Sequence, residues 1–212
     1  TVNVLTVPSA PFISASGPQT LCQGDSVHLS VSNTPGYSYN WKLSGGDVGS
    51  NSNQHIARSS GSYSLIVSNS SGCSATSTNP VTVTVNPLPV VSAISLVGDT
   101  KFCRGKSATL SVPLNAAYTY SWKNKAASTD AFSNSFIAKD PGEYAVEVST
   151  SSGCKVLTDP VKIEVVEPPV KPAIDKGTYT SGMCLGETLV RLSVDDVVAG
   201  YTYKWYKNET PL

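Results

Sequence analysis

The sequence is poor in charge, in histidine and in long apolar runs, and each shortage closes off a class of protein. Charged residues make up 14% and balance at 15 basic against 15 acidic. A nucleic-acid binder gathers Lys and Arg against phosphates, and no basic stripe is present here. No acidic run points to a cationic partner either. No segment approaches the roughly 18 continuous apolar residues of a membrane helix, so membrane insertion of this segment is not expected. There is one methionine, and no long stretch places apolar residues at helical spacing.

Chemistry is equally short of parts. A catalytic site needs a nucleophile, a base and an orienting group that converge. The two histidines, His28 and His55, stand beside no cysteine or carboxylate at metal-ligand spacing. Carboxylates form no repeated pair of the glycosidase kind, and no glycine-rich phosphate loop occurs. Asp195 and Asp196 could hold calcium at a domain junction, but adjacent acids in a turn read first as solvated. No enzyme, cofactor or metal is expected.

What is abundant is Ser, Thr, Asn, Gly and Pro, the balance of an extracellular β-protein. The five cysteines are odd in number, which in a secreted chain suggests a free thiol, an intermolecular bond or a truncated piece. Thr1 is not an initiator methionine, so a processed or excised segment is expected. The cysteines also keep time. Cys22, Cys103 and Cys184 recur at 81-residue intervals, as do Cys73 and Cys154, Trp41 and Trp122, and Gly61 and Gly142; Trp205 follows Trp122 by 83. A shared period of this length marks a tandem array.

Each copy opens on Cys-x-Gly and an alternating run ("SVHLSV", "SATLSV", "TLVRLSV"), followed by Tyr-x-Tyr-x-Trp ("YSYNW", "YTYSW", "YTYKW"). The two full copies continue to Gly-x-Tyr, Ser-Gly-Cys, a Val-rich strand and a proline joint, "NPLPV" or "EPPVKP". Residues 1–7 read as the last strand of a preceding repeat, 8–87 as repeat 1, 88–168 as repeat 2, and 169–212 as the first half of a third. The whole reads as a window on a longer array. Alternation with Val, Tyr and Thr between Gly, Pro and Asn is the strand signal. In copy 1 it predicts strands near Phe12–Ser16, Ser26–Ser32, Tyr37–Leu43, Gln54–Arg58, Ser62–Ser68 and Val81–Val85, with a short extra one within "GGDVGSNS". The expected fold class is all-β: tandem antiparallel β-sandwiches arranged as a rod. On the second strand Val27, Leu29 and Val31 should point inward, with Ser26, His28 and Ser30 in water.

These residues resemble immunoglobulin-like domains. Trp41 and Trp122 lie ten residues after Val31 and Val112, where that fold keeps its core Trp. "DPGEY", Asp140 to Tyr144, resembles the tyrosine corner, of which copy 1 keeps Gly61 and Tyr63. The positions of the fold's two core cysteines are held by aliphatics, Val31 with Leu65 and Val112 with Val146, which bury apolar area without oxidation. The finer pattern, from Cys-x-Gly-x-Ser-Val-x-Leu to Val-Thr-Val-Asn-Pro-x-Pro, is similar to the tandem immunoglobulin-like repeats of Bacteroidetes surface proteins exported by type IX secretion, including gliding-motility adhesins. The resemblance implies a secreted, cell-surface location and a role in spacing and adhesion, with neighbouring repeats as partners and surface polysaccharide or other cells as candidate ligands. The alternative is an accessory carbohydrate-binding or spacer module of a secreted polysaccharide-degrading enzyme.

In the immunoglobulin topology Cys22 precedes the second strand and Cys73 follows the sixth, at opposite ends of a sandwich. A strand rises about 3.3 Å per residue, which puts the two roughly 20 Å apart, whereas a disulfide spans at most about 7 Å between Cα atoms. Stacked copies would instead bring Cys22 beside Cys154, with Cys103 awaiting a partner in copy 3. Pairing within copies (Cys22–Cys73, Cys103–Cys154) and free thiols stay open. The row Tyr37, Tyr39, Trp41, with its counterparts Tyr118–Trp122 and Tyr201–Trp205, lies on one strand face; it is either a core or a sugar-stacking platform, and its match to the core Trp strand favours the core. Asp25-Ser26-Val27 resembles a short O-glycosylation pattern, making Ser26 a candidate acceptor.

Overall fold

A computed structural model describes residues 4–175, 192–195 and 197–212, and among these the regular elements are all strands. The chain divides into two compact units, Thr1–Val165 and Val166–Leu212. Both full copies of the repeat thus belong to the first unit, save the last three residues of copy 2.

Copy 1 runs β1 (Ser14–Ala15), β2 (Thr20–Cys22), β3 (Val27–Ser30), β4 (Ser38–Leu43), β5 (Gly46–Val48), β6 (Gln54–Ala57), β7 (Gly61–Ser68), β8 (Ser74–Thr76) and β9 (Val81–Asn86). Copy 2 repeats this as β10 (Ser95–Val97), β11 (Lys101–Cys103), β12 (Ala108–Ser111), β13 (Tyr118–Asn124), β14 (Ala127–Ser128), β15 (Ser135–Ala138), β16 (Gly142–Thr150), β17 (Lys155–Leu157) and β18 (Val161–Val166). One sheet of copy 1 has the order β1-β3-β6 and the other β2-β9-β7-β4-β5, with β8 also on β7. Copy 2 has the matching orders β10-β12-β15 and β11-β18-β16-β13-β14, with β17 on β16. The first strand of each copy is therefore split between the sheets, and β2 runs parallel to β9. These are tandem immunoglobulin-like sandwiches.

Alternation sets the core. Val27, Leu29 and Val31 are buried while His28 between them is exposed. Trp41 lies opposite Leu65 in register and Trp122 opposite Val146, all four fully buried. A buried indole needs an acceptor for its N–H; Trp41 Nε1 donates to the Ser52 carbonyl at 2.9 Å and Trp122 Nε1 to Ser133 at 2.8 Å. The tyrosine two residues earlier anchors the preceding turn: Tyr39 Oη accepts the Thr34 amide at 2.7 Å, and Tyr120 Oη the Asn115 amide at 2.7 Å. The corner tyrosines bond four residues back, Tyr63 to the Ser59 carbonyl at 3.0 Å and Tyr144 to Asp140 at 2.9 Å.

Alternation did not announce β2 and β8 or their counterparts β11 and β17. Three residues are too few to show a period, and hydrogen bonding along an existing strand recruits them. The break between β8 and β9 has a local cause. The Leu65 amide donates to Ser77 Oγ at 3.1 Å while the Ser77 amide donates back to the Leu65 carbonyl at 2.8 Å. Thr158 does the same for Val146, at 3.1 Å each way. A hydroxyl buried at this bend keeps both β7 groups satisfied where the ladder parts.

In the second unit, β19 (Ile174–Asp175) pairs with β20 (Ser193–Val194), and β21 (Tyr206–Lys207) with β22 (Thr210–Pro211). The tyrosine anchor recurs, Tyr203 Oη accepting the Val198 amide at 2.9 Å. The "YTYKW" segment is not itself a strand and Trp205 is half-buried. In the full copies this segment pairs with the Gly-x-Tyr strand, and no equivalent strand lies beside it among the described residues of the unit. Cys184 and Asp196 lie outside the described residues.

Candidate functional site at the repeat junction

Two turns, one from each copy, meet between the sandwiches. The first closes β2. Its last residue, Cys22, pairs in register with Asn86, the last residue of β9 and the point where the proline joint begins. The Gln23 amide donates to the Asn86 carbonyl at 2.8 Å, and the Asp25 amide to Cys22 at 3.0 Å. The turn is thereby fixed to the exit of its own domain. Ser26, on the far side of this turn, is half-buried, with Asp25 exposed and Val27 in the core.

The second turn spans Thr150 to Cys154, after β16. The Thr150 amide donates to the Cys154 carbonyl at 2.9 Å, the Gly153 amide to the Thr150 carbonyl at 3.0 Å, and the Cys154 amide to Thr150 Oγ1 at 3.2 Å. Gly153 has φ +85°, a backbone conformation that costs an L side chain roughly 1–2 kcal/mol. That is the reason the motif reads Ser-Gly-Cys.

Cys22 and Cys154 form a disulfide with their Cα atoms 5.5 Å apart, across 132 residues of sequence. Cys154 is fully buried, with its Sγ 3.9 Å from the Asn86 carbonyl oxygen. The bond therefore joins the exit of copy 1 to the entry of copy 2 and encloses the joint. Pairing within copies is excluded for these two cysteines, because each is bonded to the other. Cys73 and Cys103 are free thiols.

His55 stacks on Trp41 at 5.6 Å between centroids and tilts against Tyr63 at 5.5 Å. Phe136 does the same with Trp122 at 5.7 Å and Tyr144 at 5.2 Å. His55 is thus a half-buried ring packed on the core in the place that Phe136 takes in copy 2, and burial pushes its pKa down. The sequence held the clue, since Phe136 stands one 81-residue period after His55. Burial, followed by the Asp140 carboxylate, pushes the Tyr144 hydroxyl up, so it stays a donor. Asp47 pairs with Lys42, whose hydrogen bond, together with one from Asn40, holds its carboxyl below the ordinary value. Among the described residues no cluster of three or more His, Cys, Asp or Glu could hold a metal. In the two full copies the aromatic row faces inward, Tyr39, Trp41, Tyr120 and Trp122 being buried and Tyr37 and Tyr118 half-buried, whereas in the second unit Tyr201 is exposed and Tyr203 and Trp205 are half-buried.

Strand order, core and junction together are those of a tandem immunoglobulin-like protein with covalently tied domains, and domains of this kind are typically non-catalytic. Residues 8–87 match the family described as "Ig-like domain CHU_C associated". No curated protein matches the chain. Solved structures with similarity to it include a three-Ig fragment of titin in a glutamate-to-alanine variant (15% identity, 97% of this chain and 82% of that one, TM-score 0.37). Others are the three N-terminal domains of the bacteriophage RB49 outer capsid protein Hoc (14% identity, 92% and 73%, TM-score 0.36) and murine CEACAM1b (16% identity, 74% and 100%, TM-score 0.36). The immunoglobulin-like architecture of this chain stands on its own strand order and register.

Proposed function

We propose that this chain is a non-catalytic stalk and adhesion segment of a large repetitive cell-surface protein, of the kind that type IX secretion exports for gliding motility or surface filaments. The observation that carries the reading is that everything shared by the two copies is architectural. Core Trp, tyrosine anchors, tyrosine corners and cysteine turns repeat, while the segments that differ, Ser44–Gln54 and Lys123–Ser135, are the surface connections that carry the short strands β5 and β14, where binding specificity is commonly written. The disulfide supports an extracellular place, because such bonds persist in oxidising compartments. The enclosed proline joint supports a spacer, because proline-rich links are semi-rigid. A carbohydrate-binding module would draw support from an exposed aromatic row, and in both full copies the row is turned into the core. The partners on this reading are adjoining repeats of the same chain, and beyond them surface polysaccharide or other cells.

Antibodies raised against this chain should label intact, unpermeabilised cells, and external protease should remove the label. Labelling only after permeabilisation overturns the surface reading. Retention of the purified chain on insoluble polysaccharide would shift the function to the accessory-module alternative.

A further inference from the structure

Each copy is built with both halves of the covalent junction, and one pair of halves is joined. The turn that holds Cys73 repeats the turn of Cys154: the Asn69 amide donates to the Cys73 carbonyl at 3.0 Å, the Gly72 amide to Asn69 at 3.0 Å, and the Cys73 amide to Asn69 Oδ1 at 3.0 Å. The turn that holds Cys103 repeats that of Cys22, the Lys106 amide donating to the Cys103 carbonyl at 3.1 Å. Burial differs as a missing neighbour would make it. Cys154 is fully buried and its counterpart Cys73 half-buried; Cys22 is half-buried and its counterpart Cys103 exposed. A second observation places the incoming chain. Asn69 Nδ2 donates to the Thr6 carbonyl at 2.8 Å, so the segment entering copy 1 lies against the Cys73 turn. The Asn86 carbonyl likewise lies 3.9 Å from Cys154 Sγ.

We propose that Cys73 and Cys103 are half-staples, each closing with the complementary cysteine of an adjoining repeat of the same kind. Cys73 takes the cysteine of a Cys-x-Gly turn, and Cys103 the cysteine of a Ser-Gly-Cys turn. In each closure two thiols lose two protons and two electrons and form one S–S bond, and a disulfide oxidant such as oxidised glutathione is reduced to two thiols. An interior copy is then bonded to both neighbours, and a load along the array passes through a disulfide at every joint. The inference rests on the repeat-array reading above.

The test extends the full chain by a second copy of residues 88–168 inserted after residue 168. The inserted copy carries Cys103→Ser, so that the original Cys103 is unique, and Ser151→Ala, so that its Cys154 peptide has a distinct mass. After folding in a glutathione redox buffer, non-reducing peptide mapping should find the Cys103 peptide joined to the tagged Cys154 peptide, with Cys22 joined to the untagged one. Cys103 should disappear from the alkylated free-thiol pool. A second chain, with residues 8–87 duplicated ahead of residue 8 and Cys73→Ser in the added copy, should join the added Cys22 to the original Cys73. Cys103 and Cys73 remaining free while Cys22–Cys154 has formed overturns the proposal and leaves the array reading standing. Absence of Cys22–Cys154 as well overturns the junction itself.

Discussion

At the scale of single residues the two copies act as each other's control. His55 and Phe136 fill one position of the core stack, and only His55 can take a proton. Its pKa is lowered by burial, so below its ordinary value of 6.5 the unfolded chain binds more protons than the folded one. Its contribution is therefore complete above about pH 6.5 and declines as pH falls toward the folded pKa. His55→Phe should remove that pH dependence and raise stability by about 1 kcal/mol, the scale of an aromatic pair beyond its area. Denaturant melts of the full chain at pH 7.5 and 5.0 check this; an unchanged pH slope in the variant would place the titration elsewhere. Gly49 makes room for the ring, since a Cβ there would stand 2.6 Å from His55 Nδ1.

Among elements, the cysteine turn shows how a local motif aims a side chain. Gly72 and Gly153 sit at φ +82° and +85°, so Gly72→Ala and Gly153→Ala should each cost roughly 1–2 kcal/mol in backbone strain. Gly153→Ala alone should also slow formation of Cys22–Cys154, because its turn presents the reacting thiol. Urea melts together with time-resolved thiol counts during oxidative refolding separate the two effects. Equal refolding oxidation in both variants would mean that the turn does not position Cys154. The element scale is also where sequence patterning reached its limit: β2 and β8 are strands because longer strands offered them an edge.

Across the whole first unit, the Cys22–Cys154 bond closes a loop of 132 residues and couples two domains that have separate cores. Chain entropy assigns such a loop about 5 kcal/mol, and measured disulfides commonly deliver about 2–4. Cys22→Ser should lower the stability of the unit by that smaller amount and resolve one unfolding transition into two by scanning calorimetry. Reductant should have no further effect on the variant, while it should bring the unsubstituted chain to the same profile. A single undivided transition in Cys22→Ser would show that non-covalent contacts carry the coupling.

The period, the all-β class and the inward face of each long strand are legible before folding, because alternation and an 81-residue repeat are properties of order along the chain. Val31 and Leu65 could be assigned to the core cysteines' places, and Trp41 and Trp122 to the core, on spacing alone. Sequence order left the cysteines with several possible partners, since equal spacing suits a bond within a copy as well as one between copies. Tertiary structure decided it. Cys22 is carried to the exit of copy 1 by pairing with β9, and Cys154 stands at the entry of copy 2, and only distance in space tells a disulfide which partner it has. The place of His55 in the aromatic stack was decided in the same way, by what surrounds the ring after folding.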